Sequence, residues 1–484
     1  MSEASSSFVS LDRACAAQPS ILASRERRNV LRSIAAALAK ARDRIIAVAS
    51  AETSLTPDEL APEFARMTRT LEMFAGVVED GRWTRASHTP AAANPAAPTH
   101  APHLIGPNHD LRSRLIPLRG VVVVFGASNF PLAYGVCGGD TASALAAGCP
   151  VVVKEHPAHR ETGRLIAETA RVAIKAAGFD PDILGYIEDD GTNSAQLAQQ
   201  LIEHRATAAV GFTGSLAVGT QLLRLAANRP FLHPHPLAPI PVFAEMGSVN
   251  PSVIFPAALA SRGDAIIDQL AASITQRFGQ QCTCPGIVFL HGNRDGRPFA
   301  EKLAAKLAQT PLRRMLSPAV ASGFDRTVAT VAAARAVTRI GNSAPGSPVV
   351  LHCTATNALA QFETVLATEM FGPGVLVVDD AGHDGDAMEF PGSLTMSIWF
   401  DPDSPDDVAA ARRFLDTGRF GAGRIIFNGV PTGVRVCESM THGGPWPATN
   451  RPDSTAVGPR AIERWCRWVS WQNAPGVLLD GWNG

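Results

Sequence analysis

From residue 120 onward the chain alternates short, uninterrupted apolar runs with longer segments in which Ala, Leu and Ile recur at helical spacing. The runs "GVVVVFG" (120–126) and "CPVVVKE" (149–155) each have the length of a strand buried on both faces, and the Ala-rich "DTASALAAG" (140–148) lies between them. The rhythm continues through "ILGYIE", "ATAAVGFTG" and "PVFAEMG", each reached through a mixed polar and apolar helical segment. Strands that alternate with helices predict a parallel sheet joined by crossovers, and so an α/β fold. A second set begins near Asn250 with "PSVIF" and "GIVFL" and runs through "GVLVV" and "MSIWF" to "GRIIFNG" near 429, which predicts a second α/β domain.

The flanks read differently. "RRNVLRSIAAALAKARDRIIAVASAET" (27–53) has helical spacing, whereas "SHTPAAANPAAPTHAPHLIGPNHD" (87–110) reads as a loop or an extended arm. The late segment "IERWCRWVSWQNAP" (462–475) carries three tryptophans on a stretch that can alternate as a strand. That is more aromatic surface than a free tail would expose, so it is expected to dock.

Composition narrows the classes. A chain of 484 residues is too long for one core, and 46% hydrophobic residues with a mean hydropathy of +0.06 supply the surface to fill two or three. With 43 Lys and Arg against 44 Asp and Glu the net charge is -1, which offers no global field for nucleic acid or an anionic membrane. "MSEASSSFVSLDRACAAQPS" lacks a basic start followed by an apolar stretch, and no run reaches the length of a membrane span, so a cytoplasmic location is expected. Eight cysteines are too few for a disulfide framework; Cys15, Cys137, Cys149, Cys353, Cys437 and Cys466 read as small packing residues.

The remaining two cysteines stand in "FGQQCTCPG" (278–286). The spacing Cys282-Thr283-Cys284 has no further Cys or His nearby to complete a zinc set, so no metal is expected, and it is not the C-x-x-C of a redox pair. One nucleophile with a neighbour and two packing thiols both remain open. In "AEMGSVNP", Glu245 closes an apolar strand at the end where parallel sheets open their crevice; it reads as a base or as an ion-paired strand-end carboxylate. Asn129 in "FGASNFP" occupies the corresponding end of another strand and could donate to an oxyanion or cap a helix. "GFTGSLAVG" brings Gly214, Ser215 and Gly219 to a helix start, where backbone N–H groups can approach a pyrophosphate. Lys154 ends the strand that in a dinucleotide fold addresses the adenosine ribose.

Taken in order, these pieces resemble the aldehyde dehydrogenase superfamily. The motifs stand as Asn129-Phe130-Pro131, Lys154, Phe212-Thr213-Gly214-Ser215 with Gly219, Glu245-Met246-Gly247, Gly279-Gln280-Gln281-Cys282-Thr283 and Glu369-Met370-Phe371-Gly372-Pro373. Six motifs in one order are far more specific than any one alone. "FGASNFPLAYGVCGGDTASALAAGCPVVVKEHPAH" and "HGGPWPATNRPDSTAVGPRAIERW" are further similar to the branch that includes α-ketoglutaric semialdehyde dehydrogenases, whose neighbours act on fatty or other aldehydes with NADP. Departures are Ser128, where the usual residue is aromatic, Ser248, where many relatives have Gly, and the His/Pro-rich stretch 230–240.

The resemblance implies two doubly wound parallel-sheet domains plus a small oligomerisation arm. Residues 1–249 would form the dinucleotide-binding domain, with the arm near 85–117; residues 250–435 would form the catalytic domain; and 436–484 would return to the cofactor domain and form an oligomerisation tail. It implies a homodimer or homotetramer that oxidises an aldehyde to a carboxylate with NAD or NADP, through a thiohemiacetal and a thioester on Cys282. Asn129 and the Cys282 backbone N–H would hold the oxyanion, a contribution of about 3 kcal/mol per donor. Glu245, its pKa raised by partial burial, would activate the hydrolytic water. Lys154, Gly214, Ser215, Gly219, Gly247, Glu369 and Phe371 would hold the cofactor. His156, His159 and Arg160 would favour the 2′-phosphate of NADP, Glu155 a free ribose hydroxyl. The expected substrate, 2,5-dioxopentanoate, carries a carboxylate, for which Arg277 and Arg451 are the candidates. Two other classes remain open: a thiol hydrolase pairing Cys282 with one of the 13 histidines, and a catalytically silent protein of the same fold.

Overall fold

The computed structural model describes residues 3–22, 26–91, 108–229, 238–341, 344–381, 384–416 and 421–478. Residues 92–107 of the arm segment and 230–237 of the His/Pro-rich stretch lie outside the described residues. Strands β1 (Ser87–Thr89) and β2 (Leu111–Pro117) flank the first of these gaps and pair antiparallel.

The first run of apolar segments forms β3 (Val121–Phe125), β4 (Val151–Lys154), β5 (Leu184–Ile187), β6 (Thr207–Thr213) and β7 (Val242–Glu245). They make one parallel sheet in the order β5-β4-β3-β6-β7. Valines fill its centre because both faces are covered: Val122 and Val124 point into one core, Val121 and Val123 into the other. The register sets Phe125 beside Lys154 and Phe212, and Thr213 beside Glu245. The loops after β3, β4, β6 and β7 therefore leave from one edge of the sheet, where an α/β sheet opens its crevice.

The second sheet contains β8 (Pro251–Ile254), β9 (Ile287–Leu290), β10 (Thr338–Ile340), β11 (Val349–Thr354), β12 (Gly374–Asp379), β13 (Ser393–Trp399) and β14 (Ala422–Phe427). Its order is β10-β11-β12-β9-β8-β13-β14, parallel except for the antiparallel edge strand β10, with an apolar core on each face. Strand β15 (Cys466–Gln472), the tryptophan-rich segment, docks on β2 as expected and completes a three-stranded antiparallel sheet. All eight cysteines are free thiols. Among the described residues no helix is long and apolar enough to cross a membrane.

One helix matters for the site. Pro57–Asp80 starts at a capping box, in which the Thr56 side chain accepts from the Glu59 N–H and the Glu59 carboxylate accepts from the Thr56 N–H; it ends at Gly81 in the left-handed region. Such a cap contributes about 1 kcal/mol. Leu60, Phe64, Met67, Leu71 and Phe74, three or four residues apart, bury one face in the first core. At roughly 1.5–3 kcal/mol for each fully buried side chain this stripe is worth on the order of 10 kcal/mol before the entropy cost, which leaves the opposite face free for function.

Candidate active site

The Cys282 loop joins the helix Pro256–Thr275 to β9, and its backbone is unusual. Arg277, Phe278 and Gly279 hold successive φ values of 50°, 55° and 71°. Two non-glycine residues in the left-handed region cost of order 1–3 kcal/mol each, so the surroundings must hold them there. Gly279 has no alternative, since a Cβ would sit on the Gly372 carbonyl. The Asn250 amide closes the loop from the other side: Nδ2 donates to the carbonyls of Cys282 (2.7 Å) and Cys284 (2.9 Å), while Oδ1 accepts from the Thr395 hydroxyl (2.9 Å). Cys284 is buried as packing, its thiol pushed up to about 12 by burial. Cys282 alone of the pair reaches the two large cavities that meet at this loop.

Two side chains face the Cys282 thiol. Glu245 comes from the end of β7, and His442 from a loop 160 residues beyond the cysteine. The segment after His442 runs alongside β7: Thr449 bridges Glu245, Met246 N–H donates to the Ala448 carbonyl (2.7 Å), and Asn450 bonds Ala244 N–H and the Val242 carbonyl. This seating brings His442 Nε2 to 3.1 Å from Glu245 Oε1 and 3.8 Å from Cys282 Sγ. Glu245 and His442 are both buried.

The electrostatics correct one expectation. Burial alone would raise the Glu245 carboxyl, but the charge and hydrogen bond of His442, together with a hydrogen bond from Cys282, outweigh it and hold Glu245 below its ordinary range. Glu245 is thus held on the ionised side at neutral pH, against the raised pKa expected from partial burial. Burial first and the Glu245 charge second push the Cys282 thiol well above its ordinary value. The resting pair is a thiol beside a carboxylate, and the proton has a nearby acceptor when the thiol attacks. The ligand atoms of Glu245, Cys282 and His442 also lie within 4.8 Å of one another, a set that could receive a divalent ion such as zinc.

The larger cavity, of about 520 Å³, opens along the carboxyl edge of the first sheet. Lys154 and His156 stand at one end, Gly214 and Ser215 in the middle, and Glu245, Gly247, Glu369, Phe371 and Cys282 at the other. Gly214 and Ser215 lead into the helix Leu216–Ala227, whose first turn presents free N–H groups; Ser215 Oγ accepts only that of Val218 (3.4 Å). Gly219 lies outside the cavity lining, packed where a Cβ would strike the Met246 sulfur. A Cβ on Gly247 would strike the Glu369 carboxylate, so glycine lets that acid reach the cavity. Burial pushes the Glu369 carboxyl up to about 7. A basic end, a helix N-terminus and a distal carboxylate suit the phosphates and ribose hydroxyls of a dinucleotide.

At the basic end Lys154 pairs with buried Asp189. Glu155 does not face the cavity; it is buried, accepts from the His156 N–H (2.9 Å) and lies 3.3 Å from His159. His159 is also turned inward, its Nε2 donating to the Ala127 carbonyl (3.0 Å), and Arg160 is exposed outside.

The second cavity, of about 330 Å³, approaches Cys282 between Phe130, Tyr134, Arg66 and Arg277. Arg277 is committed to structure: it pairs with Glu63 (2.8 Å) and donates to the Asn129 carbonyl (2.9 Å) and the Glu59 carbonyl (2.8 Å). Arg451 is elsewhere, paired with Asp453 (2.7 Å) over the Phe243 ring. Asn129 is buried at the cavity junction, where one amide hydrogen goes to the Gln280 carbonyl (3.2 Å) and leaves the other for an incoming oxygen. Residue-by-residue reading missed His442 and Asn250, although "HGGPWPATN" and "AEMGSVNP" contain them; no spacing rule ties either one to Cys282.

Comparison with known proteins agrees with this geometry. The profile of the aldehyde dehydrogenase family matches residues 10–389. An alpha-ketoglutaric semialdehyde dehydrogenase 2 of Azospirillum brasilense is 41% identical over 461 residues, 93% of this chain and 83% of the relative. An alpha-ketoglutaric semialdehyde dehydrogenase of Acinetobacter baylyi is 35% identical over 466 residues, 94% and 83% of the two chains. Among solved structures, a salicylaldehyde dehydrogenase from Pseudomonas putida superposes with a TM-score of 0.77 at 16% identity, covering 98% of this chain and 91% of the other. A glyceraldehyde-3-phosphate dehydrogenase from Methanocaldococcus jannaschii complexed with NADP gives 0.75 at 16%, covering 97% and 94%. With a thiol, a base and a dinucleotide-sized cavity meeting at one point, and with these relatives, the chain belongs to the aldehyde dehydrogenase family and is an oxidoreductase that acts on aldehydes.

Proposed function

We propose that this enzyme oxidises 2,5-dioxopentanoate to 2-oxoglutarate with NADP. The observation that carries the reading is the meeting of two cavities at the Cys282 thiol, one suited to a dinucleotide and one to a small polar aldehyde. The substrate is taken from the two relatives named above.

In this mechanism Glu245 takes the thiol proton as Cys282 attacks the aldehyde carbon. The thiohemiacetal oxygen receives hydrogen bonds from the open Asn129 amide hydrogen and the Cys282 N–H. A dinucleotide held in the larger cavity by Lys154, Ser215 and Glu369 would supply the hydride acceptor that leaves a thioester on Cys282. Glu245 releases the thiol proton to solvent and, favoured in its ionised form by His442, then draws a proton from the water that hydrolyses the thioester. Lys154, Ser215 and Glu369 hold the cofactor, while the Glu63–Arg277 pair and Asn250 keep the oxyanion and nucleophile loops in place.

The inward turn of Glu155 supports NADP, because that carboxylate is turned away from a 2′-phosphate or 2′-hydroxyl, while Asp189 at the same end is already paired with Lys154. Residues 1–249 act as the dinucleotide-binding domain, 250–435 as the catalytic domain and 436–484 as the returning tail. The β1-β2-β15 sheet is the oligomerisation surface of a homodimer or homotetramer. The test is kcat/KM for 2,5-dioxopentanoate, an uncharged aldehyde of equal length and a long-chain aldehyde, each with NADP and NAD. Preference for the long-chain aldehyde by tenfold or more, or for NAD, overturns the corresponding half.

A further inference from the structure

We propose that Arg66, on the helix Pro57–Asp80, receives the remote carboxylate of the aldehyde substrate. The inference rests on the reading that the substrate is a semialdehyde bearing a carboxylate, and it names the side chain that selects it.

Arg66 lines the second cavity together with Cys282. Of the acids that this helix brings to the cavity, Glu63 and Glu59 are already matched. Glu63 is held by Arg277 (2.8 Å) and by the N–H groups of Leu132 (2.7 Å) and Ala133 (3.0 Å), and Glu59 by Arg313 (2.6 Å). Asp58 is exposed at the mouth. Arg66 differs from its neighbours: its side-chain hydrogen bond among the described residues runs from Nη2 to the Tyr134 hydroxyl (3.0 Å), with the guanidinium over that ring (5.2 Å). Burial keeps the Tyr134 phenol protonated well above its ordinary range, so this partner is neutral. Arg66 makes no ion pair within the described residues. A largely enclosed guanidinium with a neutral partner is costly unless an anion completes it. Its planar fork suits a carboxylate, and the Tyr134 contact fixes its orientation toward the cavity.

A competing role exists on the same geometry. The Arg66 charge also favours the ionised forms of Cys282 and Glu245, so it could serve the thiolate alone. That role affects every aldehyde equally, whereas a carboxylate anchor affects only charged ones.

The experiment uses the full chain with NADP and compares the wild type with Arg66→Gln and Arg66→Lys. Substrates are paired as 2,5-dioxopentanoate with pentanal, and succinic semialdehyde with butanal. Glutarate binding, read as protection of Cys282 from iodoacetamide, is measured on the same proteins. Loss of one charge-assisted interaction predicts a fall of roughly 10- to 100-fold in the kcat/KM ratio of charged to uncharged aldehyde for Arg66→Gln, a parallel loss of glutarate protection, and a partial return in Arg66→Lys. A ratio that stays within about twofold of wild type in both pairs, whatever the absolute rates, overturns the proposal. If wild-type enzyme ignores 2,5-dioxopentanoate but accepts succinic semialdehyde, the substrate reading fails while the second pair still decides the role of Arg66. Should Arg66→Gln not fold, Tyr134→Phe, which removes the orienting hydroxyl, must lower the same ratio or the inference falls.

Discussion

Replacing His442 by Ala isolates the group that keeps Glu245 ionised. In the wild type, Glu245 Oε1 lies 3.1 Å from His442 Nε2, and its other oxygen has no hydrogen-bond partner among the described residues. The variant leaves a buried carboxylate without its main stabilising contact, and a hydrogen bond to a charged group is worth about 1.5–3 kcal/mol. At 1.36 kcal/mol per decade this raises the proton affinity of Glu245 roughly 10- to 150-fold, so the loss of ionised base, and of thioester hydrolysis with it, falls on the acidic side of neutrality. Glu245 moves toward the protonated form, so the acidic limb of the steady-state pH profile shifts upward and the deficit shrinks in alkali. Stopped-flow absorbance at 340 nm reads the outcome: a burst of reduced cofactor followed by slow turnover that recovers as pH rises. Iodoacetamide alkylation of Cys282 reports the thiol independently. A pH profile that overlays the wild type refutes the role given to His442. A lost burst with slowed alkylation shows that His442 acts on the thiol and not through Glu245.

Two further outcomes follow from the same geometry. Cys282→Ala abolishes aldehyde oxidation, whereas Cys284→Ala, which alters only packing, keeps most of it; equal losses in a steady-state assay sink the assignment of the nucleophile. Glu369, with its carboxyl raised to about 7, is ionised mainly above that pH, so ribose hydroxyls find a better acceptor and cofactor binds more tightly as pH rises from 6 to 8. Glu369→Gln flattens that dependence for NAD, which lacks the titrating 2′-phosphate; fluorescence titrations that keep the wild-type slope in the variant refute it.

The fold was legible wherever strands are buried on both faces. Val121–Phe125, Val151–Lys154 and Val242–Glu245 read as continuous apolar runs because helices cover both sides of them. Strand β11 was missed because His352 interrupts "VVLHCT" to pair with Asp379 (2.9 Å), and β10 because it is a three-residue edge strand with Thr338 exposed. In the site, Cys282, Glu245 and Asn129 drew notice because Glu245 ends an apolar strand, Asn129 follows another, and all three stand in motifs that occur in one order. The direction of the Glu245 shift was not, since burial could be inferred locally but the compensating His442 comes from a distant loop. The carboxylate-binding arginine was equally closed to sequence, which offered Arg277 and Arg451 and did not single out Arg66. Local sequence does not show which arginine is paired with an acid, and only the pairing of Arg277 with Glu63 and of Arg451 with Asp453 leaves Arg66 over.

The seating of the 442–450 segment along β7 also bears on how the enzyme comes into being. The cysteine is made 160 residues before the imidazole that serves its base, and at a synthesis rate of about 5–20 residues per second the interval is roughly 8–30 s. Throughout that interval the growing chain carries the nucleophile without the completed apparatus for releasing an acyl group. An aldehyde met then adds to the thiol only reversibly, because expelling hydride from the thiohemiacetal needs the cofactor site in place, so the late seating of this segment delays turnover without trapping the chain.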